Sequence, residues 1–135
     1  MRYLVTLTAG IAAFAVAASA IASSTVQVTI RHQVRGCHSW AIGNGAYGAS
    51  HGLKVKHGTT LTFRNNDVMP HTLVQLAGTH VALGTPRMAH MGASTRITLT
   101  KPGTYRFGTK AGEDYTSGVK TIGEDNVLRL TVTVT

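Results

Sequence analysis

The chain has 135 residues, a formal net charge of +8 and one cysteine, Cys37. A length of this order fits one domain, and a single cysteine excludes an internal disulfide. The basic residues are spread along the chain without interleaved aromatic residues, which argues against nucleic acid as a partner and favours an acidic protein.

The first predicted element is a secretory signal peptide. Residues 1–22 contain one early positive charge, then an apolar run, and end in the small-residue sequence A-I-A. This order is typical of a cleaved signal peptide. The alternative is a retained membrane anchor, because the apolar run is close to the shortest length that spans a bilayer. We expect cleavage, which would leave residues 23–135 as one domain that is secreted or held in the periplasm or cell envelope, without membrane attachment.

After residue 22, apolar and polar residues alternate with a period of two, which predicts β-strands. Turn signals such as His57-Gly58 and Pro102-Gly103 separate the strands. Two segments, residues 36–52 and 110–126, are predicted to be loops. About seven or eight strands with one buried face each predict an all-β, antiparallel, two-sheet Greek-key sandwich. The alternating runs lie at residues 26–30, 53–55, 61–63, 97–99, 105–107 and 128–134, and residues 72–77 form a further strand-like run.

The link between two of these strands carries the most informative motif of the sequence. The residues N-N-D-V-M-P-H follow the run 59–64 and end at His71, which opens the next run. This N-N-x-x-x-P-H spacing resembles the copper-ligand loop of plastocyanin-like cupredoxins. Residues 56–66 resemble the turn and strand before the first copper histidine of that family, and residues 102–107 resemble its strand that leads to the cysteine ligand. The resemblance implies a cupredoxin-type sandwich in which His71 binds copper.

The sequence departs from the family at the C-terminal copper loop. In blue-copper members, the strand after Gly-Thr-Tyr ends in a cysteine, and a histidine and a methionine follow closely. Here Thr109 stands at the position of the cysteine and Gly112 stands near that of the histidine. No cysteine, histidine or methionine follows Met91. A copper site in this chain therefore needs ligands from elsewhere.

Other metal-ligating side chains are predicted to reach the end of the sandwich where His71 lies. Antiparallel pairing places the start of the 94–100 strand at that end, together with the segment 88–91 that precedes it. The segment 36–52 reaches the same end if it folds over it. Thiolate, imidazole and thioether groups suit copper, Cu(I) above all. The predicted ligands are Cys37, His71 and His90, with His38, Met88, Met91 and Glu113 as weaker candidates.

Several of these residues have a second interpretation. Adjacent side chains in extended chain point in opposite directions, so only one of Cys37 and His38 needs to face a metal. The cysteine is alternatively a free or intermolecularly bridged thiol. Met88 and Met91 are alternatively packing residues, and Glu113 is alternatively part of a solvated acidic turn.

Further polar and aromatic residues have predicted supporting roles. Asn65 and Asn66 are predicted to hold the ligand loop by hydrogen bonds. Trp40 is predicted to cover the packed residues as a lid. The remaining histidines are expected at the surface: His32, His51, His57 and His80.

The leading functional hypothesis is an exported, cupredoxin-like copper-binding protein with a non-standard site, which acts in copper carriage, copper buffering or electron transfer. The alternative is a metal-free β-sandwich that serves adhesion or interaction. An enzyme is not expected, because the sequence lacks a Ser-His-Asp order, an H-E-x-x-H motif and paired carboxylates in a pocket-like context.

Overall fold

The computed structural model describes residues 23–32, 38–111 and 128–135, and these residues form nine β-strands. The predicted signal peptide, Cys37 and Glu113 lie outside the described residues. No helix in the described part is long and apolar enough to cross a membrane. The strands are β1 (Thr25–His32), β2 (His38–Ile42), β3 (Ser50–Val55), β4 (Thr59–Asn65), β5 (His71–Ala77), β6 (Arg87–Met88), β7 (Ser94–Leu99), β8 (Gly103–Ala111) and β9 (Arg129–Val134).

The strands are arranged in two sheets. The first sheet, sheet A, has the order β2-β1-β4-β7, and the second, sheet B, has the order β3-β9-β8-β5-β6. In β4, Leu61 and Phe63 are fully buried while Arg64 is exposed, as the alternating pattern requires. The predicted all-β, two-sheet sandwich is confirmed.

Each sheet is mixed, whereas the sequence analysis predicts antiparallel pairing. β1 runs parallel to β4, with Val28 opposite Phe63, and β3 runs parallel to β9, with Leu53 opposite Val132. The remaining pairs are antiparallel. Alternation of apolar and polar residues reports which face of a strand is buried, and it is the same for both directions of pairing. The direction of these two pairs was therefore not encoded in the pattern that predicted the strands.

The segment predicted as a loop over residues 36–52 contains a strand. β2 pairs with β1, with Trp40 opposite Ile30, and the indole ring is fully buried. Its centroid lies 6.3 Å from that of Phe63, so Trp40 is a core residue rather than a lid. His51, expected at the surface, is half-buried, and its Nε2 lies 2.7 Å from the carbonyl oxygen of Trp40. The five-residue strand was missed because glycines follow it closely.

The core between the sheets is built around aromatic side chains. The ring centroids of Phe63 and Phe107 are 6.0 Å apart, and those of Tyr105 and Phe107 are 6.5 Å apart. Burying aromatic rings of this size is among the largest favourable terms in a small domain. This packing holds β4 against β8, and β5 pairs with β8, so the two strands that the 66–70 loop connects are held in place.

Candidate metal centre

The loop between β4 and β5 is folded by its own side chains. Asn65 ends β4, and its Oδ1 accepts a hydrogen bond of 2.8 Å from the backbone N–H of Asp67. The Oδ1 of Asp67 accepts one of 3.2 Å from the backbone N–H of Met69. These are two successive Asx turns, in which an Asn or Asp side chain replaces a backbone acceptor. They return the chain to β5 with His71 as its first residue.

His71 is fully buried and is held by a carboxylate. Its Nε2 lies 3.0 Å from Oδ2 of Asp67, and both side chains have 0 % exposure. An ionised carboxylate only accepts hydrogen bonds, so beside a neutral imidazole it selects the tautomer in which Nε2 carries the proton. Carboxylates orient metal-binding histidines in this way, with the metal on the opposite ring nitrogen. The contact with Asp67 therefore fixes the orientation of the His71 ring through Nε2.

Asn65 ties three segments together at this end of the sandwich. Its Nδ2 donates to the carbonyl oxygens of Met69 at 2.8 Å and Met88 at 3.1 Å. Its backbone N–H donates to the carbonyl of Ala93 at 2.8 Å. The structure thus shows the holding role predicted for Asn65. Asn66 contributes through its backbone alone among the hydrogen bonds described, by donating to the carbonyl of Ile30 at 2.8 Å, while its side chain is exposed.

Met88 lies directly opposite His71. The two residues pair across β5 and β6, and both are fully buried. Residues opposite each other in an antiparallel pair project from the same face of the sheet. An imidazole and a thioether, two ligand types that suit copper, are therefore neighbours on the inner face of sheet B. Met88 is also part of the hydrophobic core, which agrees with the alternative prediction that it is a packing residue.

The other predicted ligands at this end lie farther out. His90 and Met91 are exposed in the turn between β6 and β7, and Nδ1 of His90 lies 3.0 Å from the carbonyl oxygen of Met91. Met91 and Val68 border a shallow groove of about 280 Å³ that also exposes part of the Asp67 loop. His90 and Met91 are thus near the loop but on its outer side.

His38 and Thr109 are placed at the same end by their strands. His38 opens β2 opposite His32, just beyond the point where Ile30 pairs with Asn65. The side chain of His38 is outside the described part of the chain. Thr109, at the position of the family's cysteine, is buried in β8 opposite Leu73. A hydroxyl group therefore occupies the inner face of sheet B close to His71.

The described residues do not form a metal site by themselves. In the ranges 23–32, 38–111 and 128–135, no three His, Cys, Asp or Glu side chains stand together in a way that would hold a metal ion. Of the predicted ligands, His71 and Met88 are the two that the described structure brings together on the inner face of sheet B. Cys37 and Glu113 lie outside those ranges, and the structure therefore leaves their predicted roles untested.

The contact of Asp67 with His71 was not predicted from the sequence. The position of Asp67 four residues before His71 is the signal that was available, since an Asx turn brings such a side chain back over the loop. An aspartate in a short polar loop is more often a solvated turn residue, and only the burial of this one shows its second role.

No protein-family model matches the chain, and no curated protein sequence matches it. Solved structures are similar to it at low identity. A mutant of amicyanin in its reduced Cu(I) form at pH 4 is 23% identical, with 90% of each chain covered and a TM-score of 0.48. An oxidised proline-to-alanine mutant of amicyanin is 24% identical over 90% of each chain, with a TM-score of 0.47.

The third comparison is with a purple cupredoxin from Nitrosopumilus maritimus. It is 21% identical, covers 81% of this chain and 98% of its own, and has a TM-score of 0.48. Because all three TM-scores are below 0.5, neither the ligands nor the copper chemistry of these proteins is transferred to this chain.

Proposed function

We propose that this chain is an exported copper-binding protein in which His71 is a ligand, and that it serves copper carriage, copper buffering or electron transfer. The observation that carries the proposal is the buried contact between Asp67 and His71, 3.0 Å from Oδ2 to Nε2. The two Asx turns hold the loop that carries His71, and the carboxylate of Asp67 holds the imidazole ring in one orientation. A histidine that binds a metal requires such a fixed ring.

Each residue of the proposed copper site would have its own role. His71 binds through Nδ1, and Asp67 holds the ring and increases the basicity of its lone pair. Met88 offers a thioether from the opposite strand. The remaining ligands would come from Cys37 or His38, from His90 and from the weaker candidates Met91 and Glu113. Copper in such a site supplies a transferable Cu(I) ion or a one-electron redox change.

Export and partners belong to the same proposal. The segment 1–22 has the sequence features of a signal peptide, which would deliver residues 23–135 to the periplasm, the cell envelope or the medium. Without Arg2, residues 23–135 keep a net charge of +7, which favours an acidic protein as the partner that gives or receives copper or an electron.

The proposal is tested by copper affinity measured on the exported protein. Cu(I) is titrated against a coloured chelator for the wild type, for His71→Gln and for the control His57→Gln, which changes an exposed histidine between β3 and β4. We expect the first variant to weaken Cu(I) binding at least tenfold and the control to change it less than twofold. Equal affinities in all three proteins, or no binding to the wild type, would contradict the proposal.

The alternative is a metal-free interaction module, and one observation favours it. Asp67 and His71 are completely buried, which also suits a pair whose only task is to hold the loop. A bound metal stabilises the folded state by mass action. The module would therefore show the same melting temperature with and without copper, whereas a copper protein would melt at a higher temperature when loaded.

A further inference from the structure

A second cleft lies at the opposite end of β5 from His71. It has a volume of about 440 Å³ and lies between the loop that follows β5 and the strand β7. Because β5 spans seven residues, the loop that forms one wall of the cleft begins about 20 Å from His71. Its volume lies within the range of small-molecule binding sites.

One wall of the cleft is the loop after β5, and Gln75 fixes its shape. The Nε2 of Gln75 donates to the carbonyl of Thr79 at 2.7 Å, and its Oε1 accepts from the backbone N–H of Val81 at 2.9 Å. Gly78 has a φ of 100° and packs tightly on β8, where an added Cβ would lie 2.6 Å from the carbonyl oxygen of Thr104. These contacts hold the loop in place without any ligand.

The other wall is equally fixed. The buried Tyr105 donates from its hydroxyl to the carbonyl of Lys101 at 2.7 Å, which sets the backbone where β7 turns into β8. Thr95 of β7 donates from Oγ1 to the carbonyl of Leu83 at 2.9 Å, which joins β7 to the far end of the loop. Because both walls are already ordered, the protein loses little conformational entropy when a ligand binds in the cleft.

The lining of this cleft is basic. His80, Arg96 and Lys101 are exposed there, and three threonines, Thr79, Thr98 and Thr100, add hydroxyl groups. None of the described residues that line the cleft carries a carboxylate. A guanidinium group matches the oxygens of phosphate and sulfate with two parallel N–H donors. Hydroxyl groups both donate to such oxygens and accept from the hydroxyl groups of a ligand.

We propose that this cleft binds a small organic anion that carries a phosphate or sulfate group, such as a phosphorylated or sulfated sugar. Arg96 and Lys101 neutralise the anionic group, and the threonines contact the polar remainder of the ligand. The volume exceeds what a bare oxyanion fills, which points to a sugar-sized ligand. The proposal goes beyond copper binding and does not depend on it.

The test is a titration of metal-free, isotope-labelled protein, monitored through backbone amide resonances at constant ionic strength. The probes are glucose 6-phosphate, glucose 6-sulfate, inorganic phosphate and glucose. We expect saturable shifts at Val81, Thr98 and Lys101 with at least one of the two charged sugars, and at least tenfold weaker binding of phosphate and glucose. The two charged sugars distinguish a phosphate ligand from a sulfate ligand. No saturation with either, or equal affinity for inorganic phosphate, would overturn the assignment.

Matched variants separate a built site from general charge attraction. Arg96→Gln and Lys101→Gln should each raise the dissociation constant of the tighter-binding sugar at least fivefold. Arg106→Gln and Lys54→Gln remove the same charges from the outer, exposed face of sheet B and should change it less than twofold. Equal losses in all four variants would overturn the proposal. All four positions are exposed, and the amide spectrum of each variant verifies its fold.

Discussion

Oδ2 of Asp67 lies 3.0 Å from Nε2 of His71, with both side chains completely buried. The second oxygen of the same carboxylate accepts a hydrogen bond from the backbone of Met69. One side chain thus fixes the backbone of the loop and the ring that the loop presents. The stability of the loop and the orientation of His71 are therefore expected to change together.

Removing the carboxylate should destabilise the fold. Asp67→Ala leaves the ring nitrogen of His71 and the backbone N–H of Met69 without this acceptor in a buried place, which costs about 2–4 kcal/mol. Asp67→Asn retains an acceptor oxygen and should cost less. Urea unfolding of both variants measures the difference. Identical midpoints for the wild type and Asp67→Ala would show that the contact adds nothing to stability.

The two consecutive asparagines offer a matched comparison. Asn65→Ala deletes three hydrogen bonds of its side chain, two of them to carbonyl groups of other segments. We expect a loss of about 2–3 kcal/mol in the free energy of unfolding. Asn66→Ala changes an exposed side chain and should stay within about 0.5 kcal/mol of the wild type. The reverse order of the two losses would refute the role assigned to Asn65.

Substitutions at two glycines with positive φ allow the destabilisation caused by backbone strain to be measured separately from that caused by steric overlap. Gly58 has a φ of 83° and open space where a Cβ would lie, so Gly58→Ala should cost about 1–2 kcal/mol through its backbone alone. Gly78→Ala adds a clash at 2.6 Å with a carbonyl oxygen and should cost about 2 kcal/mol more. Thermal unfolding of both variants gives the two values. Equal losses in the free energy of unfolding would mean that the loop after β5 moves to accommodate the added methyl group. This result would contradict the ordered wall inferred for the cleft.

The predicted ligand role of Cys37 has a direct chemical readout. A thiol that binds copper loses its proton and becomes shielded. Alkylation of Cys37 should therefore slow at least tenfold when one equivalent of Cu(I) is added, and Cys37→Ser should lose the thermal stabilisation given by copper. Zn²⁺ at the same concentration serves as a second metal for comparison. Equal alkylation rates with and without copper would remove Cys37 from the ligand set.

The sequence pattern predicted most strands because each buries one face and exposes the other. β4, with Leu61 and Phe63 inward, and β9, with Leu130 and Val132 inward, are clear cases. β2 and β6 were missed since one adjoins a glycine-rich turn and the other has two residues. The parallel pairs were missed because alternation carries no information about direction.

The site was predictable to the extent that it is local in sequence. The N-N-x-x-x-P-H motif predicts a ligand role for His71, which stays a prediction, and a supporting role for Asn65, and both residues lie within one loop and its borders. The pairing of His71 with Met88 depends on the strand register, which the motif does not specify. The role of Asp67 depends on its burial, which follows only from how the loop packs against the rest of the sandwich.

The position of β9 has a consequence for how the protein is made. β9 lies between β3 and β8 in sheet B, and in the described part of the chain it is the strand that pairs with β3. A ribosome that has released the chain as far as Ala111 has produced eight of the nine strands, yet β3 still lacks its neighbour. Contacts this distant in sequence form slowly. Sheet B is therefore expected to close only when residues 129–134 are available, so β3 is expected to join the sheet late in folding.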